Sequence, residues 1–181
     1  MSENTVRPME AIVDSRLPET GIGDVAIARF KANGDVDVAV ILLDTFCLGV
    51  KDAFSIKSTV LDYEDRLRAR VVPEAYRKDI DPACARKLIE GGIAYAQKLG
   101  FQPHPDYKKA SRIVEKAPAT GCATEYKYGK DGKPLYFQGP HDSDQKAERI
   151  VALLRKNCGE GNFHFIIGVR ENPDFFEAGD E

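Results

Sequence analysis

Two apolar runs, residues 24–31 and 35–44, are separated by Asn33-Gly34, and this arrangement constrains the fold more than any other feature of the chain. Asn-Gly between apolar segments is the strongest short-range signal for a two-residue β-hairpin turn, because both residues tolerate the positive φ such a turn needs. In the second run Val36, Val38, Val40 and Leu42 fall on one face of a strand, while Ala39, Ile41 and Leu43 fall on the other. A strand with two apolar faces belongs in the middle of a sheet, covered on at least one side by helices.

The remaining segments surround that hairpin. Residues 9–16 have the apolar content of a short strand. Residues 17–23 read as a loop whose Gly21 and Gly23 supply turn chemistry and not a phosphate cradle, since they precede a strand instead of opening a helix. A helix is expected over residues 59–70 with Thr59 as N-cap, and another from Pro82, capped by Asp81 and stopped by Gly100. In the second helix Gly91-Gly92 costs about 1 kcal/mol per glycine against alanine, which implies close packing. A short helix follows His104-Pro105-Asp106-Tyr107. Residues 124–128 and 135–138 suggest a second hairpin, Asp142 with Gln145 a capping box opening a helix to Cys158, and residues 163–169 a last strand. This order predicts an α+β fold, a mixed, mainly antiparallel sheet packed against helices, in a single domain over residues 1–181 with 1–8 and 171–181 frayed.

A chain of 181 residues is long enough for one core that buries roughly 70% of its unfolded surface. The net charge of −3 excludes steering to phosphate or anionic lipid by overall charge, so nucleic-acid contact would need a local basic patch. No run reaches the ~20 apolar residues of a membrane span, and the first 30 residues lack the pattern of a secretion signal. No membrane partner and a cytoplasmic location are therefore expected; oligomeric state is not legible. The four cysteines lie far apart with no CxxC pair, and are expected as separate thiols, Cys84 and Cys158 serving as small apolar members of helices.

Three polar clusters could carry chemistry. In the first, the central strand runs into Asp44, Cys47, Lys51 and Asp52. Asp44 either caps the strand end on nearby amides or ligates a metal, because a lone buried carboxylate is prohibitively costly. Cys47 is a candidate nucleophile, with His104 or His141 as base, or a packed thiol. In the second, His104 and Asp106 open a helix beside Tyr107 and Lys108, a place that suits an anion or simple capping. In the third, Asp142 reads as an N-cap or a ligand, and His141 as a general acid or base. Asp44, Asp106 and Asp142 as ligands of a divalent metal, Mg²⁺ or Mn²⁺, with His104 or His141 as acid/base and Lys51, Tyr107, Lys108 and Lys133 binding substrate, would suit hydrolysis of a phosphate-containing substrate, including nucleic acid. The alternative is a non-catalytic module that binds RNA or another protein through Tyr126, Tyr128, Tyr136 and Phe137 interleaved with Lys127, Lys130 and Lys133 on the 124–138 hairpin.

The segments LLDTFCLGVKDAF, GGIAYAQKLGFQPHPDYKKA and DGKPLYFQGPHDSD resemble the signature blocks of a family of uncharacterised bacterial proteins, over residues 24–144. That resemblance implies no function, although its blocks coincide with the three polar clusters.

Overall fold

The structure, a computed structural model, describes residues 8–168. Five strands, β1 (Met9–Asp14), β2 (Ile22–Phe30), β3 (Asp35–Asp44), β4 (Gly49–Thr59) and β5 (Arg77–Ile80), form an antiparallel sheet in the order β4-β3-β2-β1-β5. The expected α+β architecture is present, with its parallel and antiparallel parts divided between two sheets. The parallel part is a separate pair, β6 (Leu135–Phe137) against β7 (His164–Ile166).

The period of two in β3 decides the layering. Val36, Val38 and Val40 pack with Tyr63, Leu67 and Val72, while Ala39, Ile41 and Leu43 pack with Ala85, Leu88, Ile89, Ala110 and Val114. The first group belongs to a helical segment made of α2 (Val60–Asp62), a π-helical turn (Tyr63–Leu67) and α3 (Arg68–Val71). Thr59 caps it by accepting the Asp62 N–H at 3.2 Å. The opposite face is covered by α4 (Pro82–Lys98), where Asp81 caps and Pro82 leads, and by α5 (Tyr107–Val114). Burying each Val, Ile or Leu stabilises by about 2 kcal/mol, so β3 ties both helical layers to one strand.

The glycine pair of α4 has two neighbours. A Cβ on Gly92 would lie 2.9 Å from Leu43 Cδ1, and one on Gly91 would lie 2.1 Å from the Tyr128 hydroxyl. One glycine admits the strand and the other admits a strap of chain.

That strap replaces the expected second hairpin. Residues 124–128 form no strand, and only an isolated bridge joins Lys130 to Lys133. The aromatic side chains are drawn to α4 instead: Tyr128 stacks on Tyr95 at 5.8 Å and donates to the Leu88 carbonyl at 3.1 Å. Cys122 is disulfide-bonded to Cys84 on α4, which overturns the expectation of four separate thiols; Cys47 and Cys158 are free.

Three smaller readings are also corrected. Lys31 pairs with Asp35 across Ala32, Asn33 and Gly34, so the first hairpin has a three-residue loop with Gly34 at φ 85°. Residues 17–23 include a short helix, α1 (Leu17–Thr20). The last helix, α6 (Asp144–Cys158), is capped by Ser143 and not by Asp142. Of the ends expected to fray, residues 1–7 and 171–181 lie outside the described residues, whereas the Pro8 carbonyl accepts the Phe30 N–H at 3.0 Å. Among the described residues no helix is long and apolar enough to cross a membrane.

The Cys84–Cys122 link closes 38 residues of sequence, for which chain entropy gives about 4 kcal/mol of stabilisation. Adding dithiothreitol, or making Cys122→Ser, should lower urea-unfolding free energy by 2–4 kcal/mol on that scale and expose the amides of residues 118–128 to hydrogen exchange. Unchanged unfolding under reduction would mean that the two thiols are separate in solution.

Candidate functional site

The Lys51-Asp52 pair of β4 is where the polar clusters meet. Opposite β3, the register moves from Leu42↔Asp52 to Leu43↔Val50, so Lys51 is an extra, unpaired residue in the strand. Such a bulge bends the ladder and re-aims the side chains beside it. Lys51 reaches the third cluster and Asp52 reaches the second.

The second cluster is stitched to the outer edge of β4 by the His104 N–H, which donates to the Val50 carbonyl at 3.0 Å. His104 Nδ1 lies 3.8 Å from Asp52 Oδ1 and 3.8 Å from Asp106 Oδ2. The Asp106 N–H donates to His104 Nδ1 at 3.3 Å, so that nitrogen carries a lone pair and no proton. Asp106 stands at the N-cap of α5, yet its carboxylate caps nothing. Asp52, His104 and Asp106 thus bring one ligating atom each to within 4.8 Å of one another, and their side chains are 58%, 38% and 59% exposed. This is the one such trio of His, Cys, Asp or Glu among the described residues. Further along the sheet end, Asp24 is held above the ordinary carboxylate range by burial and by the neighbouring charges of Asp14 and Asp52. Asp14 is paired with Arg16 at 2.6 Å, whereas Asp24 forms no ion pair among the described residues. The sheet end therefore carries an uncompensated negative potential.

The expected ligands do not converge. Asp44 is 8% exposed and accepts the N–H groups of Phe46 and Cys47, both at 2.9 Å. It organises the turn from β3 to β4 and is not a member of the trio. Burial pushes its carboxyl up to about 6, against the opposing pull of the Cys47, Leu48 and Phe46 amides and of Lys51. Asp142 is also saturated: it takes the Tyr136 hydroxyl at 3.2 Å, the Gly139 N–H at 3.1 Å and Lys146 Nζ at 2.6 Å, with Lys51 Nζ at 3.5 Å. Burial would raise this carboxyl, but Lys146, Gly139 and Lys51 together hold it below its ordinary value. With two lysines on it, Asp142 is a buried ion-pair centre that would repel a metal ion.

The other candidates separate in the same way. Cys47 is fully buried, and burial pushes its thiol far up, so the nucleophile reading is withdrawn. Tyr107 packs against the main core, where burial raises its hydroxyl to about 12. Lys108 beside it is exposed. Lys133 donates to the Gly161 carbonyl at 2.9 Å and so pins a turn. His141 is exposed and forms no hydrogen bond or ion pair among the described residues. Of the aromatics proposed for a binding hairpin, Tyr136 is fully buried, Tyr126 and Tyr128 lie against the core, and Phe137 is exposed.

Sequence reasoning named Asp52 only as the partner of Lys51 in a pair. The signal that would have promoted it is the alternation Phe54-Ser55-Ile56-Lys57-Ser58, which marks residues 50–58 as a strand and puts Lys51 and Asp52 on different sides. No family model, curated protein or solved structure matches this chain.

The buried Asp44 makes a pH-dependent prediction. A carboxyl whose folded pKa is raised contributes its full stability below the unfolded value near 3.8 and loses it as pH rises through about 6. Relative to the wild type, Asp44→Asn should therefore gain about 3 kcal/mol of unfolding free energy between pH 4 and pH 7, measured by urea titration at each pH. A difference that stays constant over that window would contradict a desolvated Asp44.

Proposed function

We propose that this protein is a metal-dependent hydrolase of a phosphate-containing substrate, and that Asp52, His104 and Asp106 are its metal ligands. The observation that carries this reading is the convergence of three ligating atoms within 4.8 Å on an exposed edge. Two carboxylates and one imidazole suit Mn²⁺ better than Mg²⁺, which binds with carboxylates and water and tolerates nitrogen poorly. A divalent ion bound there would polarise a phosphoryl oxygen and lower the pKa of a bound water.

The surrounding residues support the same reading. Asp24, with Asp14 beside Arg16, adds negative potential that attracts a cation to the sheet end. The unprotonated Nδ1 of His104 is the form a metal requires, and only the weak bond from the Asp106 amide must be exchanged. Lys108, exposed in the first turn of α5, is the cation proposed to meet the substrate phosphate once the metal has offset the carboxylates. Ligands this exposed leave room for substrate and water in the coordination sphere, and they imply modest affinity for the ion. Nucleic acid is a candidate substrate only through such local charge, since the chain as a whole carries −3.

Calorimetric titration of metal-stripped protein with Mn²⁺ should show one saturable site that is lost in Asp52→Asn and in His104→Ala and kept in His141→Ala. Hydrolysis of bis(p-nitrophenyl) phosphate should depend on Mn²⁺ and fall at least a hundredfold in Asp52→Asn. No saturable binding, or binding indifferent to both ligand substitutions, would reject the metal site; binding without hydrolysis would reject the enzyme reading alone.

A further inference from the structure

Away from the proposed metal site, β5 is an edge strand that pairs only with β1, and it ends where Asp81 caps α4. A cavity of about 550 Å³ opens there, lined among others by Glu10, Arg68, Asp79, Ile80, Asp81 and Pro82. That volume is in the range of small-molecule sites.

The charges around it are unequal. Arg68 Nε lies 3.1 Å from Glu10 Oε1, and Arg68 Nη2 lies 3.1 Å from Asp79 Oδ1. Arg68 Nε is closed off from solvent and has no acceptor in hydrogen-bonding geometry, so the guanidinium is held in place by charge more than by directed bonds. Glu10 is fixed from its other side by the Tyr63 hydroxyl at 2.7 Å. Asp81 accepts the Ala83 N–H at 2.7 Å and has no cationic partner among the described residues. Three carboxylates therefore face one guanidinium, a formal excess of two negative charges. The chain reaches this arrangement through the π-helical turn Tyr63–Leu67, which separates Tyr63 from Arg68; such turns are frequent at functional sites.

We propose that this cavity binds an organic cation with a short aliphatic body, a primary amine or guanidine, its charge against Asp79 and Asp81 and its methylenes against Ile80 and Pro82. An anion would meet the excess carboxylates. A bare metal ion has no trio of oxygens to chelate it here, since among the described residues only Asp52, His104 and Asp106 converge closely enough. The cation may be supplied free, as a polyamine, or as the lysine side chain of a peptide; the chemistry recognised is the same.

The test is a two-dimensional amide NMR titration of the full chain with 1,4-diaminobutane, with acetyl-Gly-Lys-Gly-amide and with n-butyrate. Saturable shifts centred on residues 79–83 are expected with the amine and the peptide and not with butyrate, weakened at least tenfold in an Asp79→Asn/Asp81→Asn protein. Asn at position 81 keeps an oxygen for the Ala83 amide, so α4 retains its cap. Tighter binding of the diamine assigns the site to free polyamines, and tighter binding of the peptide assigns it to a partner's lysine. Absence of saturable shifts with both cations, equal affinity in the double variant, or preferential binding of butyrate overturns the proposal.

Discussion

Every layer of this structure is anchored on the two-faced burial of β3. Its side chains alternate between two apolar clusters, so the strand cannot slip by one residue without exchanging the groups that pack on α4 and α5 for those that pack on Tyr63 and Leu67. A strand committed to apolar contact on both faces has no position from which to offer a polar side chain. Chemistry is displaced to its end, at Asp44, and to its neighbour β4, whose outer side is an edge of the sheet. The polar candidates therefore gather around residues 44–52 and the segments that reach β4 from outside.

What happens at that end is decided by one extra residue. Without the bulge at Lys51, strict alternation would carry Val50 and Asp52 to one face; with it, Val50 stays opposite Leu43 in the core and Asp52 stays opposite Leu42. Lys51, released from pairing, joins the buried carboxylate of Asp142. The buried Asp44 fixes the turn that precedes the bulge, so its amide bonds and the positions of Lys51 and Asp52 form one mechanical unit. Gly49, at φ 68° and with a would-be Cβ 3.1 Å from the Gly92 carbonyl, lets that turn sit against α4.

The parts of the fold legible in the sequence are those written locally. Asn33-Gly34, the caps at Thr59 and Asp81, and the apolar stripe of α6 announce themselves within a few residues, and each element is present. The misreadings share a different cause. Residues 124–128 have the composition of a strand, but the disulfide to Cys84 and the stacking of Tyr128 on Tyr95 hold them on a helix, and both are contacts across about 35 residues of chain. The β4 strand hid behind its bulge, and β5, with the pattern Arg-Lys-Asp-Ile, is too short and polar to show any period. A disulfide also weighs against a reducing compartment, which the spacing of the cysteines alone gave no reason to consider.

Charge compensation sorts the candidate residues more sharply than residue type does. Asp142 and Asp52 flank the same bulge, yet Asp142 is buried and held by two lysines, a hydroxyl and an amide, while Asp52 is exposed and meets a histidine and another acid. Removing a charge from water is tolerated only where partners are already in place, so a buried, fully partnered carboxylate has no bonding capacity left for a ligand. An exposed carboxylate beside like charges has the opposite balance, because each further acid raises the cost of leaving the group unpaired and so increases what a cation gains by arriving. Asp44 belongs with Asp142, its partners being amides; Asp106, a capping residue that caps nothing, belongs with Asp52. The same rule selects the cavity at Asp79 and Asp81, where one guanidinium is shared among three acids. Two separate acidic positions at opposite edges of one sheet are thus left open to cations, and the geometry distinguishes them: one gathers its ligand atoms as a metal demands, and the other spreads them around a volume that only an organic cation would fill.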